Sequence, residues 1–215
     1  MIDYRTYLEA FNETLYMTAL STLIVLVLGL ILGIALYVTS QEGLIPNRFV
    51  YSVLSVVTSI GRSIPFLILI VLLLPVTRML VGTILGPSAA IPALVIGATP
   101  FYARLVELAL FEKGKALKET GISFGATNLT IIMKILIPES KASLVRGITV
   151  TAIAITGYTS IAGAIGAGGL GNLAYLYGYA RNRQQVTIIA TVLIVALILV
   201  IQLIGDLTVK KLTHK

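Results

Sequence analysis

From Leu15 to Thr39 the chain carries no charged residue. A helix needs about 20 mainly apolar residues to cross roughly 30 Å of hydrocarbon, and this run is long enough. Its apolar content also forbids exposure of the whole run to water. Four further runs follow. Phe49 to Thr77 is interrupted by Arg62, Pro65 and Pro75. A third run lies between Arg78 and Arg104. A fourth, between Arg146 and Arg181, is longer than one span needs. Val186 to Gly205 is closed by Asp206 and a basic tail. With 57% hydrophobic and 12% charged residues and a mean hydropathy of +0.99, the chain belongs with polytopic membrane proteins. The expected fold is all-α, with five spans at about 15–39, 52–77, 80–103, 147–170 and 186–206. They form a single domain over residues 1–215, and 105–146 is its only sizeable part outside the membrane.

A net charge of +7 is a feature that nucleic-acid-binding proteins share, but its placement argues against that reading. Arg104, Lys113, Lys115, Lys118, Lys134, Lys141 and Arg146 lie between runs three and four, and Lys210, Lys211 and Lys215 close the chain. Basic clusters beside spans mark the cytoplasmic side. Two spans separate these clusters, so both fit the cytoplasm. An odd number of spans then puts the N-terminus outside, where Asp3, Glu9 and Glu13 outweigh Arg5. That acidic balance is also wrong for the basic start of a signal peptide. Arg78, Arg181 and Arg183 fall on the outer side, against the charge rule but fewer in number. There is no Cys, hence no disulfide framework or thiolate metal site. The lone His214 reads as a solvated tail residue.

Residues Glu119 to Pro138, ETGISFGATNLTIIMKILIP, are a mixed-polarity segment between apolar runs. It must lie at a membrane face or against a partner. Gly114 and Gly125 are expected to divide the region into short pieces. One helix spans Ala116–Phe124, with Leu117, Gly121 and Phe124 on one side. Thr127 or Asn128 caps a second helix carrying Leu129, Ile132 and Ile135/Leu136 at helical spacing. Pro138 is expected to end that helix, having no N–H for its ladder. On residues alone, two readings stand: an amphipathic helix on anionic lipid, and a short rigid element that pushes on a partner.

Run four, GITVTAIAITGYTSIAGAIGAGGLGNLAYLYGYA, mixes glycines with hydroxyls. Small residues let helices approach closely, while hydroxyls in a membrane need partners that a water-filled route supplies. Gly166–Gly171 is too glycine-rich for regular helix and is placed near the outer end. Without a preceding strand it is no dinucleotide fingerprint. Arg62-Ser63-Ile64-Pro65-Phe66 reads as an interfacial anchor beside a kink or helix start. Gly97-Ala98-Thr99-Pro100-Phe101 suggests a bend, of the kind that gates transporters.

The spacing of Glu119, Gly125, Ile135, Ile137 and Pro138 resembles the cytoplasmic loop by which permease subunits of bacterial ABC importers meet their ATPase. Thr120 and Gly121 stand where that family has two alanines, so small residues are kept but the helix is weaker by roughly 1 kcal/mol. RSIPF, GATPFYAR and GYTSIAGAIGAGGLG resemble, in order along nearly the whole chain, the methionine-uptake branch of those permeases. The glycine stretch alone also resembles phosphonate and other importers. The resemblance implies a type I ABC importer permease fold in a bacterial cytoplasmic membrane. It implies a homodimer over two ATPase subunits, with an extracytoplasmic methionine-binding protein outside. It implies a non-catalytic subunit for L- and D-methionine with no cofactor of its own, ATP and Mg being used by the ATPase. Glu119, Thr120, Gly121 and Gly125 would form the coupling helix, supported by Ile135, Ile137 and Pro138. Tyr158, Thr159, Ser160 and Ile161 would line or gate the route. The alternatives are a permease for another small solute, an ion-coupled carrier, for which no run holds a central carboxylate, and an assembly subunit without transport.

Overall fold

The structure is a computed structural model that describes residues 3–213, apart from the side chains at 115 and 116. Thus His214, Lys215 and the Lys115 side chain lie outside the described residues. Helix α1 (Tyr4–Thr39) is followed by α2 (Arg48–Ser63), α3 (Phe66–Leu72), α4 (Leu74–Val81) and α5 (Pro87–Ser123). Then come α6 (Asn128–Thr130), a π-helical segment (Ile131–Leu136), α7 (Ile137–Ala162) and a second π segment (Gly163–Ala167). The chain ends with α8 (Gly169–Asn172), a third π segment (Leu173–Tyr179) and α9 (Gln184–Thr213). Four helical stretches are long and apolar enough to span: Tyr4–Thr39, Pro87–Gly114, Asn128–Ala167 and Gln184–Thr213. A fifth span exists if α2 and α3, bent by 103°, count as one.

Helix α5 is the centre of the bundle. Ala90, Leu94, Ala98, Tyr102, Val106 and Leu110 recur every fourth residue, all 1% exposed or less, and so form one stripe along the helix. Glycines on α1 let it lie close to this stripe. A Cβ at Gly29 would stand 2.7 Å from Tyr102 Cδ1, and one at Gly33 2.5 Å from the Ala103 carbonyl. This is the close approach by which membrane helices gain packing without a hydrophobic drive between them. Tyr102 also donates to the Leu144 carbonyl at 3.4 Å, and Ser140 to that of Ala109 at 3.2 Å, joining α5 to α7. Helix α9 has the smallest buried share of the four spans, as expected of a helix facing lipid.

Three local expectations need correction. Gly114 does not break the chain, because α5 runs through it for 37 residues. The position instead makes room for the Tyr37 ring. Pro138 does not end its helix either. The turn before it widens so that the Ile137 N–H donates to Ile132, five residues back, and α7 continues from Ile137. A π turn of this kind absorbs the missing N–H without breaking the helix. The expected third span starts late, while the second bends where a kink or helix start is expected. The second bends at Ile64–Pro65, and the helix of the third begins at Pro87, after a turn with left-handed Gly82 and Gly86.

Candidate functional site

Two regions gather the residues singled out in the sequence. The first is the tip between α5 and α6. Helix α5 stops because Gly125 adopts φ +70°, which glycine takes without a Cβ penalty. The Gly125 N–H donates to the Ile122 carbonyl at 2.9 Å and the Ala126 N–H to that of Gly121 at 3.0 Å. This pair of bonds is the Schellman closure of a helix end. Thr127 then caps α6, its side chain accepting from the Thr130 N–H at 3.3 Å. Gly121 is buried, and a Cβ there would lie 2.9 Å from Ile131 Cγ1 and 3.4 Å from Ile135 Cδ1. The two sides of the hairpin therefore touch at Gly121, with Ile131 and Leu136 fully buried behind it.

The tip thus sorts the seven residues of the expected coupling segment. Glu119, Thr120 and Gly125 are exposed; Gly121 is buried; Ile135, Ile137 and Pro138 are half-buried supports. The exposed surface contains more than the sequence signalled. Phe124 is 86% exposed and Leu129 70%, beside exposed Ile122 and Met133. Phe124 therefore faces outward, not onto the side of Leu117 and Gly121. Exposed apolar side chains gathered near a hairpin tip mark a surface for a protein partner or a membrane. Lys118 turns away from it, its Nζ donating to the carbonyls of Gly43 at 2.6 Å and Glu42 at 3.2 Å. That cation braces the α1–α2 loop.

The second region lies at the break between α2 and α3. A cavity of about 250 Å³ is lined by Gly61, Arg62, Ile64, Phe66, Phe101 and Tyr158, among others. Pro65 caps α3, and Phe66 stacks on Tyr158 with centroids 4.6 Å apart and planes 9° off parallel. A Cβ at Gly61 would stand 2.8 Å from Pro100 Cγ, and Pro100 is halfway along the candidate span Pro87–Gly114. Arg62, exposed on this subunit, is therefore level with the middle of that candidate span.

The hydroxyls of run four turn out to serve their own helix. Thr151 donates to Gly147 at 2.8 Å, Thr156 to Ala152 at 2.9 Å and Thr159 to Thr156 at 2.7 Å. Thr159 is 1% exposed and so faces the subunit interior. Of the four expected pathway residues, Tyr158 reaches the cavity, Ser160 is half-buried and Ile161 is exposed. Ser160 is overlain by Gly171, where the chain folds back on α7. This fold-back begins at Gly166, Gly168 and Gly169, all at positive φ, so the expected loss of regular helix is observed there.

Some pairings left no local signal. The Gly169 N–H donates to the Glu13 carboxylate at 2.6 Å and the Leu170 N–H to Thr14 Oγ1 at 2.8 Å, across 156 positions. Glu107, 2% exposed, pairs with Arg104 and accepts from Tyr51 at 3.1 Å, tying α2 to α5. Among the described residues no cluster of His, Cys, Asp and Glu could hold a metal ion.

Residues 26–214 match the family of binding-protein-dependent transport system inner membrane components. The chain is 58% identical over 206 residues to the methionine import system permease protein MetP of Bacillus subtilis (strain 168), covering 96% of this chain and 93% of that one. It is 46% identical over 203 residues to the probable D-methionine transport system permease protein MetI of Pasteurella multocida (strain Pm70), covering 94% of each. Among solved structures, an inward-facing conformation of the MetNI methionine ABC transporter superposes with a TM-score of 0.96 at 42% identity, covering 99% of both chains. The all-α fold of broken and continuous spans is thus that of an ABC importer permease, and the chain belongs to the family of binding-protein-dependent transport system inner membrane components.

Proposed function

We propose that this chain is the permease subunit of an ATP-driven importer of methionine in the bacterial cytoplasmic membrane. It works as a homodimer above two ATPase subunits and receives its solute from an extracytoplasmic binding protein. The observation that carries the mechanism is the continuity of α5. One helix holds Gly97 and Phe101 beside the mid-depth cavity and Glu119 at the exposed tip. At about 1.5 Å per residue, these ends are roughly 33 Å apart. The Schellman-closed hairpin gives the ATPase a stiff handle, with Glu119, Thr120 and the apolar Phe124 and Leu129 meeting it. ATP binding draws the handles together, and α5 carries that displacement to the α2–α3 break. The cavity then alternates between the two sides, and hydrolysis on the ATPase resets it. The permease supplies geometry, not catalysis. The identity to methionine permeases over nearly the whole chain supports the solute.

The test is uptake of labelled methionine into proteoliposomes holding this chain, its ATPase and the binding protein. Uptake should require ATP, and Glu119→Lys should abolish the coupling of hydrolysis to uptake or release the ATPase. Uptake driven by an ion gradient without ATP would overturn the mechanism. ATP-driven uptake that methionine does not compete for would overturn the solute alone.

A further inference from the structure

Arg62 has no ion-pair partner among the described residues, yet it lines a cavity level with the middle of a candidate span. A charge at membrane depth is costly, and one that persists there faces an aqueous route or a ligand. The nearest carboxylates by sequence, on either side, are Glu42 and Glu107. Glu107 is taken by Arg104 and Tyr51, and Glu42 belongs to a different cavity, with Tyr37 and Glu119. Neither lines the cavity at Arg62. The remaining wall is apolar and aromatic: Ile64, Phe66, Leu69, Phe101 and Tyr158. The stacked pair of Phe66 and Tyr158 presents a flat π surface, and Gly61 and Gly97 keep the backbone of α2 and α5 close to the space.

We propose that Arg62 is the carboxylate-reading residue of a transit subsite for an α-amino acid with an unbranched apolar side chain. This rests on the importer reading above. A guanidinium is planar and takes a carboxylate through two parallel N–H···O bonds. An unbranched side chain, a thioether above all, fills an irregular aromatic wall and gains sulfur–aromatic contact. No carboxylate lines the cavity to hold the ammonium group, so one end of the zwitterion is fixed and the other stays with water. A passing site should have this one-sided grip, since a solute held at both ends would not leave. The subsite also explains why the helix breaks here. Ending α2 at Ser63 and restarting at Phe66 brings Arg62 and Phe66, from the two sides of the break, onto the lining of one cavity.

The experiment uses the complete complex of permease, ATPase and binding protein in proteoliposomes, held without nucleotide. It is exposed to a diazirine analogue of methionine and, separately, to the carboxamide of that analogue. After illumination, the peptides bearing Phe66 and Tyr158 are sequenced. The acid should label them and the amide should label at least about ten-fold less, the loss expected for a charge-assisted pair. Arg62→Gln should erase the difference and lower uptake per ATP hydrolysed, and Arg62→Lys should restore part of both. Equal labelling by acid and amide in the unsubstituted complex would overturn the subsite. So would an Arg62→Gln complex with unchanged uptake per ATP, or one whose only defect is a lower melting temperature. Failure of the importer reading is distinguishable, because the unsubstituted complex would then show no ATP-dependent methionine uptake.

Discussion

At the residue scale, the glycines that look alike in the sequence divide sharply in space. A Cβ on Gly163 would stand 2.5 Å from the Asn172 nitrogen and 2.7 Å from the Gly168 carbonyl oxygen. Both are backbone atoms that cannot swing away. A Cβ on Gly157 would meet nothing within 4 Å. Gly163→Ala should therefore cost about 1–3 kcal/mol as overpacking and lower the melting temperature of the detergent-purified complex by several degrees. Gly157→Ala should leave it unchanged or raise it slightly, since alanine is the better helix former. A fluorescence melt of the two variants checks this, and equal losses would mean that the fold-back of Gly168–Asn172 onto α7 is not as described. Composition marked both glycines as small-residue packing positions. Which of them is packed depends on where α8 returns, and α8 is pinned by Glu13 and Thr14 from the start of the chain. No local pattern encodes a contact across 156 positions.

At the scale of elements, the apolar runs were legible and their joints were not. Hydropathy located α1 and α9 because a span must be apolar along its length. Residue chemistry narrowed the cap to Thr127 or Asn128 and located the irregular backbone near Gly166, where side chains act on their own neighbours. It erred at Gly114 and Pro138, where tertiary packing overrides local propensity. Tyr37 occupies the space that Gly114 leaves, and a π turn accommodates Pro138. The outcome is an α5 that continues further than the sequence implied, and this carries a prediction. Leu108 and Lys113 are exposed on α5, between the cavity and the tip. Replacing both with glycine costs about 2 kcal/mol of helix propensity without removing an observed contact. The double variant should keep its ATPase and hydrolyse ATP within about two-fold of normal, while uptake per ATP falls several-fold as the softened helix loses its stroke. Parallel assays of phosphate release and uptake decide it. An unchanged ratio would show that the displacement travels by another element, the Lys118 brace to the α1–α2 loop being the next candidate.

For the whole molecule, the contacts sort the chain into two ends. Gly86 donates to the Gly166 carbonyl at 2.9 Å, Glu13 and Thr14 cap α8, and Ala10 packs with Leu170 and Val186. One end therefore holds the start of α1, the α4–α5 turn, the glycine fold-back and the start of α9. The other holds the α1–α2 loop bound by Lys118, the Gly125 tip and the end of α9. Arg5, Arg78, Arg181 and Arg183 belong to the first end. Arg48, Lys113, Lys118, Lys134, Lys141, Lys210 and Lys211 belong to the second. Positive residues concentrate on the cytoplasmic side of a membrane protein, so the second end should face the cytoplasm and Asp3 the exterior. The chain has no Cys, so each introduced thiol reports alone. In intact spheroplasts, a membrane-impermeant maleimide should label Asp3→Cys and Arg183→Cys at once. It should label Glu42→Cys, Ser123→Cys and Thr213→Cys only after the membrane is opened. Labelling of all five from outside would mean that the protein is not sealed in a bilayer as assembled. The reverse pattern would turn the tip outward, away from any ATPase, and would remove the energy source from the mechanism while leaving every contact within the subunit intact. Orientation is thus the one property on which the function depends and which the fold alone, being the same either way up, does not encode. It resides in lysines and arginines of which, at the second end, Lys118 alone is observed to brace another element among the described residues.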